Sequence, residues 1–399
     1  MSANDRIFYA CQAVAIQIFE DSSTLAETDM VYGLQSVGIT TNFNLEQAFE
    51  LGQIEIYENI EGTPDVEVTL EKVLDGSPLI YHMATAGHAG SDKGLDGTLA
   101  GSGLAGRSKS RSDVRLGIFP DNQNNVSTAG TNAEMEALCQ GMYVSSISYT
   151  LPVDGSATES VTLVGNNKKW LRGTSATKMK AAAVDRFDGA DFPAAIAGDP
   201  GESIYTSGGV TQREDVILSH CILPRAIQGV VGTGYANAWN ATTKEPRIHI
   251  QNISVSTDFS REDIMELGRK TPYARPATFP IEVSCEIEAI TTSGDLVFAY
   301  EHGDPNLYTT TASGNNTQSE NIFVYTRGGV AFDLGDQNRL ASVTYGGGDA
   351  AGGNVSCTYS YTNFNDLDVQ MRQWDHYDGG TGYVGFRRLQ GVSDFPAGI

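Results

Sequence analysis

The sequence predicts a mainly β protein: two tandem, related antiparallel β-sandwich or barrel units, each with a short helix, plus long loops and terminal arms. Three observations lead there. Residues 35–53, QSVGITTNFNLEQAFELGQ, recur without a gap as residues 251–269, QNISVSTDFSREDIMELGR, with identities at Gln35/Gln251, Thr41/Thr257, Phe43/Phe259, Glu46/Glu262, Glu50/Glu266, Leu51/Leu267 and Gly52/Gly268. Apolar and polar residues alternate in several short runs, which is the period of a strand with one buried face. Glycine is high, at 44 of 399 residues, and Ser and Thr are abundant, which favours strands and turns over helical bundles.

Taken in order, residues 7–19 are apolar and strand-like, either an arm for a neighbouring subunit or the first strand of the chain's own sheet. In residues 34–40, alternation puts Val37 and Ile39 on one face. Asn44 then reads as a helix N-cap, with Gln47 three residues on as in a capping box and Gly52 as the stop. The second copy has Ser260, Asp263 and Gly268 in these roles, so a helix of about two turns is expected twice. Alternating strands follow at 66–74 and 281–290, with Val66-Glu67-Val68-Thr69 matched to Ile281-Glu282-Val283-Ser284. Strands at 142–151 and 159–164 flank Pro152-Val153-Asp154-Gly155, and Asp-Gly between alternating runs marks a hairpin. Strands at 340–345 and 354–361 flank glycine-rich 346–353 in the same way, and Ser146-Ile147-Ser148-Tyr149 matches Ser342-Val343-Thr344-Tyr345. Further strands are expected at 114–119 and 321–326.

Between these runs, residues 84–112 read as a long Gly/Ser/Ala-rich loop. Its basic end, Arg107, Lys109 and Arg111, is either a solvated tip or a contact for an acidic neighbour. The division expected is 1–170 as first unit with an N-terminal arm, 171–245 as connector with a short helix near 178–184, and 246–399 as second unit with a C-terminal arm over 375–399.

Net charge is −23, from 26 basic and 49 acidic side chains, which disfavours specific nucleic-acid binding. The cysteines Cys11, Cys139, Cys221, Cys285 and Cys357 are scattered and odd in number, so neither a disulfide framework nor a zinc site is expected. Neither a secretion signal nor a membrane anchor is expected, for want of a basic start with an apolar core or a run of roughly twenty apolar residues.

Motifs with chemical potential are weak. Gly101-Ser102-Gly103-Leu104-Ala105-Gly106 spells GxGxxG, without the preceding strand and following helix that would aim it at a phosphate. His82 and His88 stand six apart in a loop, and His220 adjoins Cys221, but strand neighbours point to opposite faces. The other histidines, His249, His302 and His376, form no HExxH or HxH spacing, and no GxSxG elbow occurs. Glu46, Glu50, Glu262 and Glu266 recur with the repeat and suit capping or subunit contacts better than catalysis. Asn125 heads an Asn-x-Ser triplet of no meaning without a secretory route. Trp170, Trp239 and Trp374 are too scattered for an obvious carbohydrate platform. No catalytic, cofactor-binding or metal site, no cofactor and no enzymatic activity are therefore expected.

The segments 35–76 and 251–295 resemble tail tube and related virion proteins of tailed bacteriophages. The resemblance implies a β-sandwich or barrel with a flanking helix, whose inner sheets close into rings that stack as a tube with an acidic lumen for DNA. Two units in one chain then imply a trimer forming a pseudo-hexameric ring in the virion tail, with a true hexamer as the other option and other tail proteins as partners. A hub, tail completion or capsid decoration protein is the alternative, and a carbohydrate-binding β-sandwich a more distant one.

Overall fold

The computed structural model describes residues 7, 11–19, 30–52, 54–75, 77–85, 103–119, 133–172, 179, 210–216, 218, 221–224, 227, 249–290, 320–326, 330–346 and 354–371. The first half contains β1 (Gln12–Ile18), β2 (Leu34–Asn42), β3 (Leu45–Phe49), β4 (Ile56–Glu61), β5 (Asp65–Val73), α1 (Ile80–Thr85), α2 (Leu104–Arg107), β6 (Ser112–Ile118), β7 (Met135–Pro152), β8 (Thr158–Gly165) and β9 (Asn167–Arg172). The second contains β10 (His249–Asp258), β11 (Glu282–Ile290), β12 (Phe323–Tyr325), β13 (Val330–Asp333), β14 (Arg339–Gly346), β15 (Ser356–Phe364) and β16 (Asp368–Met371). The fold is mainly β and antiparallel, and the sheets do not close into a barrel.

Eight strands form one path, β2-β5-β8-β7-β10-β11-β15-β14. Alternation in the sequence sets its two faces. In β5, Val66, Val68 and Leu70 are buried while Glu67 and Glu71 are exposed. In β11, Val283, Cys285 and Ile287 are buried while Glu282 and Glu286 are exposed. The buried face carries a core shared by both halves. Phe332 of β13 meets Tyr149 of β7 in a tilted contact at 4.7 Å, and Phe259 lies 6.4 Å from Tyr81 of α1. Smaller ladders cover that core: β6 pairs β1 and the N-terminal part of β7, which also pairs β9, and β13 pairs β12 and β16.

The local geometry of the first half recurs in the second. The order β2-β5-β8-β7 is followed by β10-β11-β15-β14, each the same succession along the chain apart from the place of the last two. The register breaks between Leu34 and Ser36 in β2 and between Ile250 and Asn252 in β10, 216 residues on. It breaks between Val144 and Ser146 in β7 and between Leu340 and Ser342 in β14, 196 residues on. Asn44 and Ser260 both have positive φ, at 45° and 44°, and their N–H groups donate to Asn42 Oδ1 and Asp258 Oδ1.

That geometry overturns the two expected helices. β3 and β4 pair as a hairpin, and the second copy makes bridges Arg261↔Ala277 and Ile264↔Ala274. Asn and Ser prefer caps because their side chains bond nearby backbone N–H groups, and the same chemistry builds a left-handed turn into a hairpin. Gly52 and Gly268, at φ 96° and 89°, turn the hairpins instead of stopping helices.

Other expectations shift too. Thr41 pairs Val66, and Thr257 pairs Val283, so Val66 corresponds to Val283, two residues from the match to Ile281. A two-residue slip keeps every side chain on its face, so alternation cannot detect it. The 7–19 segment is no free arm: β1 pairs β6 of its own chain. Part of 84–112 is ordered as α2 and the start of β6, and Arg107 is buried, its Nη1 donating to Thr85 Oγ1 at 3.3 Å. The helix near 178–184, apart from Met179, and the 375–399 arm lie outside the described residues. From the 171–245 segment, Thr211 N–H donates to Leu74 O at 2.6 Å, while Val216 and Ile222 bridge Thr326 and Phe323.

Candidate functional site

Among the described residues, the eight-stranded sheet has one face that its own core does not cover. Outward positions hold Ser36, Thr40 and Asn42 on β2, Thr69 on β5, Ser160 and Thr162 on β8, and Ser146, Ser148 and Thr150 on β7. Ser254 and Ser256 on β10, Ser284 on β11, and Thr358, Ser360 and Thr362 on β15 continue it. Among these hydroxyls stand Asp65, Glu67, Glu71, Asp258, Glu282, Glu286 and Glu288. Arg339, at the end of β14, is the one Lys or Arg at an outward position of the eight strands among the described residues. The face is therefore hydroxylated and acidic, and repulsive to a polyanion. Asp65 is the best held of these carboxylates: burial works against its charge, but Asn44 Nδ2 at 2.7 Å and Arg275 Nη2 at 2.8 Å keep its pKa below the ordinary value.

The sheet ends in two free edges, β2 and β14, which no other described strand pairs. At one corner the two hairpins project side by side, with Thr63 Oγ1 donating to Lys270 O. Their apolar side chains face solvent: Phe43, Leu45, Phe49, Leu51, Ile54 and Tyr57 on one, Met265, Leu267 and Tyr273 on the other. Exposed apolar clusters of this kind mark association surfaces.

No protein-family model matches this chain, and neither does any curated protein. Several solved structures are similar to part of it, two of which follow. One is the cap that terminates the tube of the anti-feeding prophage, at 10% identity over 43% of this chain and 95% of that one, with a TM-score of 0.29. The other is the sheath–tube complex of an extracellular contractile injection system in its extended state, at 10% identity, the same 43% and 95%, and a TM-score of 0.28. Likenesses this distant decide nothing about what the chain does.

The residues weighed for chemistry are scattered or inert where they are described. His82 is buried in α1, its Nε2 2.7 Å from Val369 O, and burial lowers its pKa to about 3. Cys221 is buried with its thiol pushed up to about 12, and Tyr325 N–H donates to its Sγ at 3.4 Å. His88, His220, His302, His376, Asn125, Trp239 and Trp374 lie outside the described residues, and Trp170 stands half exposed on β9. Gly103 precedes four-residue α2 as its N-cap, and Gly101 and Ser102 lie outside the described residues. Glu46, Glu50, Glu262 and Glu266 all sit exposed on the hairpins, with Glu266 paired to Arg269 at 3.1 Å. Among the described residues no cluster of His, Cys, Asp and Glu could hold a metal ion, and no helix is long and apolar enough to cross a membrane.

A buried polar group escaped sequence reading. The Glu159 carboxylate accepts from Ile80 N–H at 2.7 Å, Tyr81 N–H at 3.1 Å and Tyr149 Oη at 3.0 Å, joining α1 to β7 and β8. Burial raises its pKa, against the nearby Lys72 charge and these bonds. Lys72 Nζ is buried too and donates to Ser77 Oγ at 2.6 Å and Pro78 O at 2.9 Å. All of these bonds end on the chain itself, so the group fastens α1 to the sheet. Glu159 at the start of an alternating strand was the available signal, since its position on the apolar face demands buried partners.

Proposed function

We propose that this chain is a structural, non-enzymatic subunit of a phage-tail-type tube, assembled in the host cell and carried in the virion. The observation that supports it most is the repeated four-strand order running in one direction across the sheet and ending in two unpaired edges. Such an arrangement suits head-to-tail association, in which every copy uses the same two surfaces and closure removes the exposed edges. The recurrence of bulges and left-handed turns in 1–170 and 246–399 supports an internal duplication, with 171–245 joining the units. Three chains would then supply the units of a pseudo-hexameric ring. The hydroxyl and carboxylate face suits the wall of a conduit, because DNA slides past a surface that offers its phosphates little beyond Arg339 to hold them. The apolar hairpins suit the axial contact between stacked rings or other tail proteins. The resemblance of 35–76 and 251–295 to tail tube proteins points the same way.

The test is negative-stain electron microscopy of the purified protein with mass measurement of the particles. Hollow rings or tubes of three chains per ring are expected. Six chains per ring would keep the tube and overturn the trimer. A monomer that never assembles, even at high concentration, would overturn the tube reading in favour of a decoration role.

A further inference from the structure

The chain pairs, within itself, the two strands that correspond to its open edges. In the middle of the sheet β7, the last strand of the first four, pairs β10, the first strand of the second four. The free edges are the counterparts of these two strands: β2 matches β10 at a spacing of 216, and β14 matches β7 at a spacing of 196. The junction buries side chains that the edges leave open. Tyr149 is 1% exposed at the junction, and its counterpart Tyr345 is 54% exposed. Val255 and Ile147 are buried there, whereas their counterparts Ile39 and Val343 are only half-buried.

We propose that β14 of one copy pairs antiparallel with β2 of a second copy in the register of the β7–β10 junction. The junction aligns Thr257↔Ile147, Ser256↔Ser148 and Val255↔Tyr149. Carried to the edges, it aligns Thr41↔Val343, Thr40↔Thr344 and Ile39↔Tyr345. Tyr345 thereby gains the cover that Tyr149 has. The hydrogen-bond phase carries over as well. Phe259 N–H donates to Ser145 O, and Val153 N–H to Gln251 O, both at 2.8 Å. Those bonded pairs alternate with unbonded ones, so Ser256↔Ser148 is an unbonded, close pair with both side chains on the hydroxyl face. Thr40 and Thr344 inherit that place. One feature of the junction is missing at the edges: Arg261, whose Nε and Nη2 donate to Val144 O at 2.9 and 2.7 Å, is replaced by Leu45. The intermolecular contact is thus more easily opened than the internal one. The inference rests on the self-assembling reading above for a second copy to be present.

The experiment is oxidation of the full chain carrying Thr40→Cys and Thr344→Cys, followed by non-reducing electrophoresis and peptide mass spectrometry. The native cysteines placed in the structure are all buried, which keeps background low. An unbonded antiparallel pair, with Cα atoms about 4.5 Å apart, can close a disulfide. The expected result is covalent multimers joined through residues 40 and 344. A control with Thr40→Cys and Ser342→Cys, a diagonal pair at about 7–8 Å, should link far less. As a second variant, Tyr345→Asp should weaken association about tenfold or more while leaving the monomer's unfolding midpoint unchanged, because Tyr345 is open before association and desolvated after it. Rings or tubes without 40–344 linkage, or equal linkage in the control, overturn the register and leave the tube reading standing. Specific 40–344 linkage without any ring or tube upholds the contact and removes the tube reading. No linkage and no assembly overturns both.

Discussion

His82 shows how far burial can move one side chain. Its pKa of about 3 lies below the ordinary 6.5, with desolvation as the main cause and the nearby Arg107 charge adding to it. Between these values the unfolded chain binds a proton that the folded chain refuses. The stability tied to neutral His82 is therefore complete above pH 6.5 and lost as pH falls toward 3, at up to about 1.4 kcal/mol per pH unit. Glu159 runs the other way. Its raised pKa makes its ionisation a cost that grows as pH climbs above 4.5. Comparing the native chain with His82→Gln isolates the histidine. The advantage of the native chain in denaturant unfolding should shrink by about 2 kcal/mol between pH 7 and pH 5. A constant difference would mean that His82 takes up a proton as readily in the fold as in the unfolded chain. None of this was legible in the sequence, where His82 reads as a loop residue six positions from another histidine. Its burial depends on Val369, far away in the chain, closing over α1.

At the level of elements, the hairpins carry the clearest lesson. Asn44 holds a left-handed backbone, and its Nδ2 donates to Thr63 O at 2.9 Å and Asp65 Oδ2 at 2.7 Å. Asn44→Ala should destabilise the β3–β4 hairpin by about 1–2 kcal/mol, through both strain and lost bonds, and Asn44→Gly by less. Unfolding midpoints of the two variants check the order; equal losses would mean that the backbone conformation is not the cause. The apolar tips should behave differently. Replacing Leu51, Ile54 and Leu267 together by Ser should leave stability within about 0.5 kcal/mol, since all three are fully exposed. If the hairpins make the axial contact, the same variant should form single rings but shorter or no tubes in electron micrographs. Tubes of native length would assign the stacking elsewhere. The boundaries and repetition of these segments were legible, because Gly52/Gly268 and Asn44/Ser260 recur at one spacing. Their conformation was not, since the residues that cap helices are those that turn hairpins.

For the whole molecule, the charge of −23 gains meaning from where part of it lies. Asp65, Glu67, Glu71, Glu282, Glu286 and Glu288 share the open face of the long sheet. If this face lines a conduit, Glu67→Lys with Glu286→Lys should make assembled particles retain DNA that the native face repels, with retention falling as salt rises. Filter binding of DNA to native and variant particles reads this out. Retention that does not change would mean that the face does not line the conduit.

The sequence by itself determined the strands of the long sheet, their buried faces and the recurrence of the 35–53 segment at 251–269, because alternation, turn residues and spacing are local properties of the chain. It could not determine the exchange of helix for hairpin, the two-residue slip between β5 and β11, or the burial of Arg107 and His82. Each depends on which distant strand supplies the partner, and each leaves the local pattern unchanged. Only the tertiary structure decided that β7 meets β10 inside the chain, because backbone hydrogen bonds carry no sequence signature. That pairing joins β2-β5-β8-β7 to β10-β11-β15-β14 in one sheet and leaves β2 and β14 as its ends among the described residues.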